Sequence, residues 1–463
     1  MLISSLIKDE CANEYCRALG QDIEKVPEAL IVAEEKQEKM VVGCFSVEVQ
    51  DTDTFTLPDM EDVVQYYIDC DIFDSNTIVV PGKSCTNLTL ITVFLVFNNN
   101  TATTSYVGLF RDNKAIRAFN ELPPYGSKKW LYGGYEVTNY DYMFANSGIK
   151  NVHMNPGKAL DEASMEGIFK EAREFFGAGN VFAWNVWNIS NMARMFESAE
   201  LFNTDIQNWQ VDQVTDMSYM FSYANNFNQD LMDWDVRHVK NMSNMFSFAS
   251  NFDGLIASWD VSSVENMSRM FQAAESFNKH LNYWDVSSVK DMSYMFSHAI
   301  AFNQDLFSWD VVEVRNMSNM FSFASNFNGD ISCWNVFSLQ NMLSLFDSAR
   351  QFNQPINSWM VHMVDDMSKM FRHATSFNQP LGSWRVSNVE NMSSMFNGAV
   401  NFRQDIGNWH VFGVTNFAYM FNNAKRFYQS ISNWDVTGDR DFNNNRRAMF
   451  FGSLLAGRRN LQP

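Results

Sequence analysis

The chain has 463 residues, of which 46% are hydrophobic and 15% aromatic, and it carries a formal net charge of −19. This apolar content excludes a disordered chain. The excess of carboxylates disfavours nucleic acid, whose phosphate backbone is also negative, and favours solubility or a basic protein partner.

The first region, 1–130, contains no internal repeat, and we predict a small α+β or mostly β domain there. Apolar patterns predict helices at 5–19 and 60–68 and strands at 41–49, 77–80, 88–97 and 105–110. Five of the six cysteines lie here without metal-binding CxxC spacing, so we expect free thiols. The N-terminus lacks a secretion signal, and the longest apolar run is too short to span a bilayer. We therefore expect a soluble chain with no transmembrane segment.

One string in this region, Gly82-Lys83-Ser84 after a strand-like run, resembles a phosphate-binding loop. That loop needs a glycine five residues before Gly82, where Thr77 stands, and it must open a helix, whereas another strand-like run follows. We interpret the string as an ordinary turn. The seven histidines all lie outside this region and suggest no catalytic set. We predict no catalytic residue, cofactor or metal ion.

Residues 131–183 contain two weak echoes of a pattern that becomes regular later in the chain. Val137–Phe144 is similar to Val414–Phe421, and the spacing of Met165, Ile168 and Phe169 recurs downstream. We interpret the region as degenerate repeats that cap the array. The alternative is a helical linker that resembles the repeat by chance.

From residue 184 to 434 the chain repeats a 25-residue unit without interruption. Tryptophans mark every copy, at 184, 209, 234, 259, 284, 309, 334, 359, 384, 409 and 434. An unbroken period of this length is typical of a solenoid, in which each copy buries its apolar face only against its neighbours.

We number each copy from its tryptophan, which is position 0; the consensus is then W-D-V-S-S-V-x-N-M-S-x-M-F-x-x-A-x-x-F-N-Q-D-[IL]-x-x. Met, Met, Phe and Ala at +8, +11, +12 and +15 have the spacing of one helix face, and Asn or Asp at +7 suits its N-cap. Ile or Leu at +22 through Val at +2 predicts a strand that pairs in parallel with its copies. The predicted fold class is α/β, a solenoid of short parallel strands and short helices.

Three polar features recur. We expect the Asn at +19 to point inward and bond the next copy. The Asp row at +1 is interpreted as a solvated face, with a cation site as the alternative. Asn-Met-Ser triplets at 241, 266, 316 and 391 fit a glycosylation pattern but are interpreted as caps. The variable positions +6, +10, +13, +14, +16, +17, +23 and +24 are the candidate binding surface.

The repeat fails after Trp434, where Phe442, Asn445 and Arg446 replace the apolar face. We assign 435–463 to a C-terminal cap and basic tail. Its arginines are the candidate binding residues if the tail docks to an acidic partner: Arg446, Arg447, Arg458 and Arg459.

The string WDVSSVxNMSxMF resembles the BspA-like leucine-rich-repeat surface proteins, in the 25-residue type of mycoplasma lipoproteins, with similar arrays in large DNA viruses of protists. The resemblance covers 184–434 and implies a leucine-rich-repeat-like solenoid used for binding or adhesion, with no catalytic residues.

Bacterial surface members carry an export signal, which we do not find here. We therefore expect a non-enzymatic protein-binding or structural scaffold within a multi-protein assembly, intracellular or in a virus particle. The alternatives are a cell-surface adhesin and an enzyme with its site in 1–130.

Overall fold

The computed structural model describes residues 41–49, 63–70, 90–97, 103–114, 116–122, 136–154, 159–439, 448–458, 460 and 462–463. The chain divides into two compact units, 1–213 and 214–463. The predicted helix at 5–19, the predicted strand at 77–80 and the Gly82-Lys83-Ser84 turn lie outside the described residues. Cys333 is a free, exposed thiol, as expected.

The strands of the first unit form two sheets. One has the order β2-β3-β1-β5-β7-β9 and the other β10-β8-β6-β4. A single 3-10 turn, Val181–Ala183, lies between the last two strands. The described strands are β1 (Val41–Val49), β2 (Val63–Cys70), β3 (Leu90–Phe97), β4 (Thr103–Ser105), β5 (Ile116–Leu122), β6 (Glu136–Asn139), β7 (Asn151–His153), β8 (Ala159–Ser164), β9 (Ala178–Gly179) and β10 (Ile189–Asn191).

In the larger sheet, β1 pairs antiparallel with β3 and β5, and β2 pairs antiparallel with β3. The predicted strands at 41–49 and 88–97 are confirmed as β1 and β3. The helix predicted at 60–68 is wrong, because β2 occupies 63–70. Its run of Val, Tyr and Ile residues favours the extended backbone, in which branched and aromatic side chains keep their preferred rotamers.

The smaller sheet is parallel and joins the degenerate repeats. Ser105 pairs with Asn139, Asn139 with Ser164, and Ser164 with Asn191. After each of these residues the chain makes the same pair of turns, so the strand predicted at 105–110 is wrong. Each pair of turns places two residues at positive φ: Gly108 and Asp112, Tyr142 and Asn146, Gly167 and Glu171, and Arg194 and Ser198. The repeated turn thus begins at Ser105, inside the region where we predicted no repeat.

The second unit repeats one backbone conformation every 25 residues. Position +7 of each copy forms a parallel bridge with +7 of the next. The asparagine or aspartate there accepts a hydrogen bond from the backbone N–H two residues on, as Asn316 Oδ1 does from Ser318 at 3.1 Å. The triplet asparagines are therefore caps of a turn. The bridged residues are Asp216, Asn241, Asn266, Asp291, Asn316, Asn341, Asp366, Asn391 and Asn416.

The helix predicted over +8 to +15 is wrong. Alternate N–H groups leave the copy, as Tyr294 donates to Ser318 O at 2.9 Å, while those between them close three-residue turns, as Met295 donates to Met292 O at 3.2 Å. Two residues per copy, +10 and +14, have φ between 55° and 60° where they are not glycine. Helices pack about 8–10 Å apart. Consecutive copies stack too closely for that, since their backbones pair directly through these hydrogen bonds and through the bridges at +7.

The strand predicted from +22 to +2 is also wrong, since these residues form turns. The carbonyl at +22 accepts two bonds there. Leu281 O accepts the backbone N–H of Trp284 at 3.0 Å and the indole N–H of Trp309 at 2.8 Å. One tryptophan bond therefore closes a turn within a copy, and the other ties adjacent copies together.

The core consists of the constant apolar positions, as the repeat predicts. Trp309 is 2% exposed, and Met317, Met320 and Phe321 are fully buried. Within a copy the rings at +12 and +18 stack 3.8 to 4.1 Å apart. Between copies, tryptophan rings stack 6.0 to 6.3 Å apart. Every constant ring thus contacts its own copy and a neighbouring one, so a single copy cannot complete its core.

The chain does not leave the repeat after Trp434, contrary to our prediction. Phe421 N–H donates to Met449 O at 3.0 Å, Asn423 N–H donates to Phe451 O at 2.7 Å, and Phe450 stacks on Phe421 at 6.0 Å. Gly452 has φ +74°, as +14 requires. The segment 448–452 is a further copy of the turn, displaced by a four-residue insertion.

The positive φ angles at +10 and +14 predict that glycine at such a position raises the free energy of unfolding. An L-residue in the left-handed region costs about 1–2 kcal/mol, whereas glycine costs about 0.5–1 kcal/mol in unfolded-state entropy. Ser394 has φ 57°. We expect Ser394→Gly to raise the free energy of unfolding by about 0.5–1 kcal/mol in urea denaturation. The matched control, Ser393→Gly, lacks a positive φ and should lower it by a similar amount. Equal effects of the two changes would show that the left-handed conformation of Ser394 costs no free energy.

Candidate binding surface

The structure divides the variable positions into two classes. Position +13, which we had assigned to the surface, is mostly buried: Ser247, Ser297 and Ser322 are at most 3% exposed. Positions +10 and +14 carry the positive φ values, and no β-branched residue stands at either in any copy. Branching at Cβ is costly in the left-handed region, which explains this restriction. Three of the large exposed rings of the second unit stand at +14: Tyr223, Phe248 and Phe323.

Five consecutive +14 residues form what we call the aromatic row: Tyr223, Phe248, Ala273, His298 and Phe323. The rings of Tyr223 and Phe248 are 4.5 Å apart and nearly parallel, at 2°. Those of His298 and Phe323 are also 4.5 Å apart, at 14°. Tyr223 and Phe323 remain 46% and 41% exposed. Stacked rings whose edges face solvent form a rigid apolar surface.

The backbone holds this row in place. Each +14 N–H donates to the +13 carbonyl of the next copy: Phe248 to Gln272 O at 2.6 Å, Ala273 to Ser297 O at 2.7 Å, and His298 to Ser322 O at 2.8 Å. The spacing of the side chains is therefore set by the stacking of the copies. A surface built this way needs little ordering when a partner binds, which favours affinity.

Position +10 lines one side of the row. Arg269 is exposed, and its guanidinium lies over the ring of Tyr294, 4.4 Å from the centroid. This cation–π contact fixes a charged hydrogen-bond donor beside the apolar row. Apolar centres with polar rims are typical of protein-binding surfaces.

Partial burial favours the neutral form of His298. It lowers the pKa of the imidazole from its ordinary value of 6.5, while the carboxylates of Glu275 and Asp347 act in the opposite direction with less effect. Ser297 Oγ lies 3.0 Å from His298 Nδ1. The ring is therefore neutral at pH 7 and stacks on Phe323 as an uncharged aromatic group.

The lowered pKa of His298 predicts that the stability of the fold depends on pH. The unfolded chain takes up the histidine proton at a higher pH than the folded chain does, so the contribution of His298 is intact above pH 6.5 and is lost as the pH falls through that value. We expect urea midpoints between about pH 5 and 8 to fall less steeply in His298→Phe, which keeps the stacked ring, than in the wild type. Equal slopes would show that His298 does not contribute.

The polar rows stabilise turns and link the copies. Asp285 Oδ1 accepts hydrogen bonds from Ser287 N at 3.0 Å and Ser287 Oγ at 2.6 Å. The +19 asparagines lie at the surface rather than inward. Even so they join copies as expected, since Asn303 Oδ1 accepts from Asn328 N at 2.7 Å. Within the described part of the chain, no cluster of three or more histidine, cysteine or acidic residues could hold a metal ion.

One buried ion pair replaces serine at +13. Asp347, with a side chain 3% exposed, receives Arg372 Nη2 at 2.6 Å and Arg372 Nε at 2.9 Å. Ser348 Oγ also donates to Asp347, at 3.1 Å. The pair joins two adjacent copies.

The structure describes only one of the four predicted binding arginines. Arg458 is exposed in the C-terminal segment, and Arg446, Arg447 and Arg459 lie outside the described residues. How the four lie relative to one another is therefore outside the described residues. No helix among the described residues is long and apolar enough to cross a membrane.

A family model described as "Mycoplasma protein of unknown function, DUF285" matches residues 138–256, 163–282, 248–359 and 340–453. These overlapping matches span well over half of the chain and run through both the degenerate and the regular repeats. The chain belongs to this family. The last DUF285 match ends at 453, one residue beyond the displaced turn at 448–452. No curated protein and no solved structure matches the chain.

Proposed function

We propose that this DUF285 protein is a non-enzymatic binding scaffold, in which the repeats of each unit form a solenoid that presents a fixed surface to a protein partner. The aromatic row carries the proposal. Its rings are exposed, evenly spaced and held by backbone hydrogen bonds, whereas the constant positions are used in the core. Solenoids commonly bind proteins through such extended surfaces.

The chemistry of the surface supports a binding role over catalysis. The +1 carboxylates accept bonds from their own turns, and Asp347 is paired with Arg372. The row itself consists of aromatic rings and one alanine, side chains that contact a partner surface rather than transform a substrate. The net charge of −19 favours a partner with a basic surface around its contact residues.

Two settings suit such a scaffold. The resemblance to repeat arrays of large DNA viruses supports a structural component of a virus particle or another intracellular assembly. The resemblance to the BspA-like leucine-rich-repeat surface proteins supports a cell-surface adhesin. The two settings differ in the partner, which is a neighbouring assembly protein in the first and a host surface protein in the second.

Co-purification from the native source tests the proposal. We expect a defined protein partner with the wild type and its loss from the triple variant Tyr223→Ser, Phe248→Ser, Phe323→Ser. The matched control is Tyr283→Ser, which alters a ring 89% exposed outside the row. Purification of the wild type alone, or retention of the partner by the triple variant, would contradict the proposal.

A further inference from the structure

Ala273 interrupts the aromatic row at its centre. Phe248 and His298 stand on either side of it, one copy away in each direction, and Ala273 itself is only 9% exposed. Two steps of 4.5 Å, the separation found within each ring pair, would place the rings of Phe248 and His298 about 9 Å apart. The methyl group of Ala273 therefore forms the floor of a gap that is one ring wide.

The row itself indicates what fits this gap. A planar ring midway between Phe248 and His298 would lie about 4.5 Å from each, the separation that the Tyr223–Phe248 and His298–Phe323 pairs already show. Tyr223 covers the outer face of Phe248, and Phe323 covers the outer face of His298. The remaining face of each of these two rings lies on the side of Ala273.

We propose that the gap over Ala273 binds one aromatic side chain of a protein partner, which inserts between Phe248 and His298 and completes a stack of five rings. The inference rests on the scaffold function proposed above and identifies its anchor point. A side chain fits better than a nucleobase, because the net charge of −19 repels a phosphate backbone. Aromatic anchors in small pockets are also the residues that contribute most to protein binding.

Ligand-observed saturation-transfer NMR on the full chain tests the gap with N-acetyl-tyrosinamide as the probe. We expect saturable binding of this probe and none of N-acetyl-leucinamide, which has no ring. Ala273→Phe supplies the missing ring from the chain itself and should weaken probe binding by about tenfold or more, since both stacking faces are then occupied. His373→Phe is the matched control, because it places phenylalanine at an exposed +14 position outside the gap.

Thermal unfolding of each variant establishes that it folds. If Ala273→Phe does not fold, Phe248→Ala removes one wall of the gap and should also abolish probe binding. The proposal is overturned if the wild type shows no saturable binding of the tyrosine probe. It is also overturned if Ala273→Phe binds the probe as the wild type does.

The partner itself separates this inference from the scaffold function. If the triple row variant loses the co-purifying partner while Ala273→Phe keeps it, the surface binds but the gap is not the anchor. If Ala273→Phe loses the partner and His373→Phe keeps it, the gap is the anchor. If no partner co-purifies but the tyrosine probe binds in the gap, the scaffold function fails and the ring-binding site stands.

Discussion

Replacing Trp309 with alanine is expected to lower the free energy of unfolding by about 3–5 kcal/mol. The side chain is 2% exposed and stacks on Trp334 at 6.1 Å, and its indole N–H donates to Leu281 O at 2.8 Å. The change therefore opens a cavity in the core and leaves one buried carbonyl with a single hydrogen bond. Urea denaturation followed by far-UV circular dichroism measures the loss.

Two further variants separate the contribution of the indole N–H from that of the buried ring. Trp309→Phe keeps a ring in the stack and removes the indole N–H, so its cost should be smaller. Tyr283→Ala changes an equally large side chain that is 89% exposed and should cost less than about 0.5 kcal/mol. A loss below about 1 kcal/mol for Trp309→Ala would be incompatible with a core tryptophan that joins two copies.

The second large effect is expected at the buried ion pair. Arg372→Met should lower the free energy of unfolding by about 2–3 kcal/mol, because it leaves the carboxylate of Asp347 buried without its cation. The estimate lies below the range for a fully buried pair because the Arg372 side chain is 32% exposed. Urea denaturation of the full chain at pH 7 is the measurement.

The chain offers both a rescue and a control. The double variant Asp347→Ser, Arg372→Ser restores the residue found at +13 in Ser297 and Ser322, and should return to within about 1 kcal/mol of the wild type. Lys290→Met breaks the exposed pair with Glu265 and should leave the free energy of unfolding nearly unchanged. If Arg372→Met costs no more than Lys290→Met, the buried pair does not stabilise the stack.

Part of the candidate surface could be predicted from the sequence. Alignment of the copies shows which positions vary, and it places Tyr223, Phe248, Ala273, His298 and Phe323 in one column. It does not show that +13 is buried while +14 is exposed, because serine at +13 is neither apolar nor constant. Position +14 is left-handed in every regular copy, although aromatic residues occupy it in some copies and glycine, which adopts this conformation at lower cost, occupies it in another.

Two turns of the repeat that we did not predict can nevertheless be recognised in the sequence. Tyr106, Leu109 and Phe110 have the spacing of Tyr140, Met143 and Phe144, and their turns pair directly. Met449-Phe450-Phe451-Gly452 is similar to Met395-Phe396-Asn397-Gly398, four residues later than the period requires. A fixed period hides both, because the separations of 34 and 54 residues are not multiples of 25.

The period, the core positions and the capping role of Asn at +7 were determined by the sequence alone. An apolar or capping residue that recurs in every copy must serve a contact that every copy makes. The conformation of the Met-Phe segment was decided only by the tertiary structure. Its spacing of i, i+3, i+4 and i+7 suits a helix, but it suits equally well two consecutive turns with left-handed residues at +10 and +14. The close stacking of the copies selects the turns, because helices need about 8–10 Å between their axes, whereas consecutive copies are joined by direct backbone hydrogen bonds, as Tyr294 N–H donates to Ser318 O at 2.9 Å.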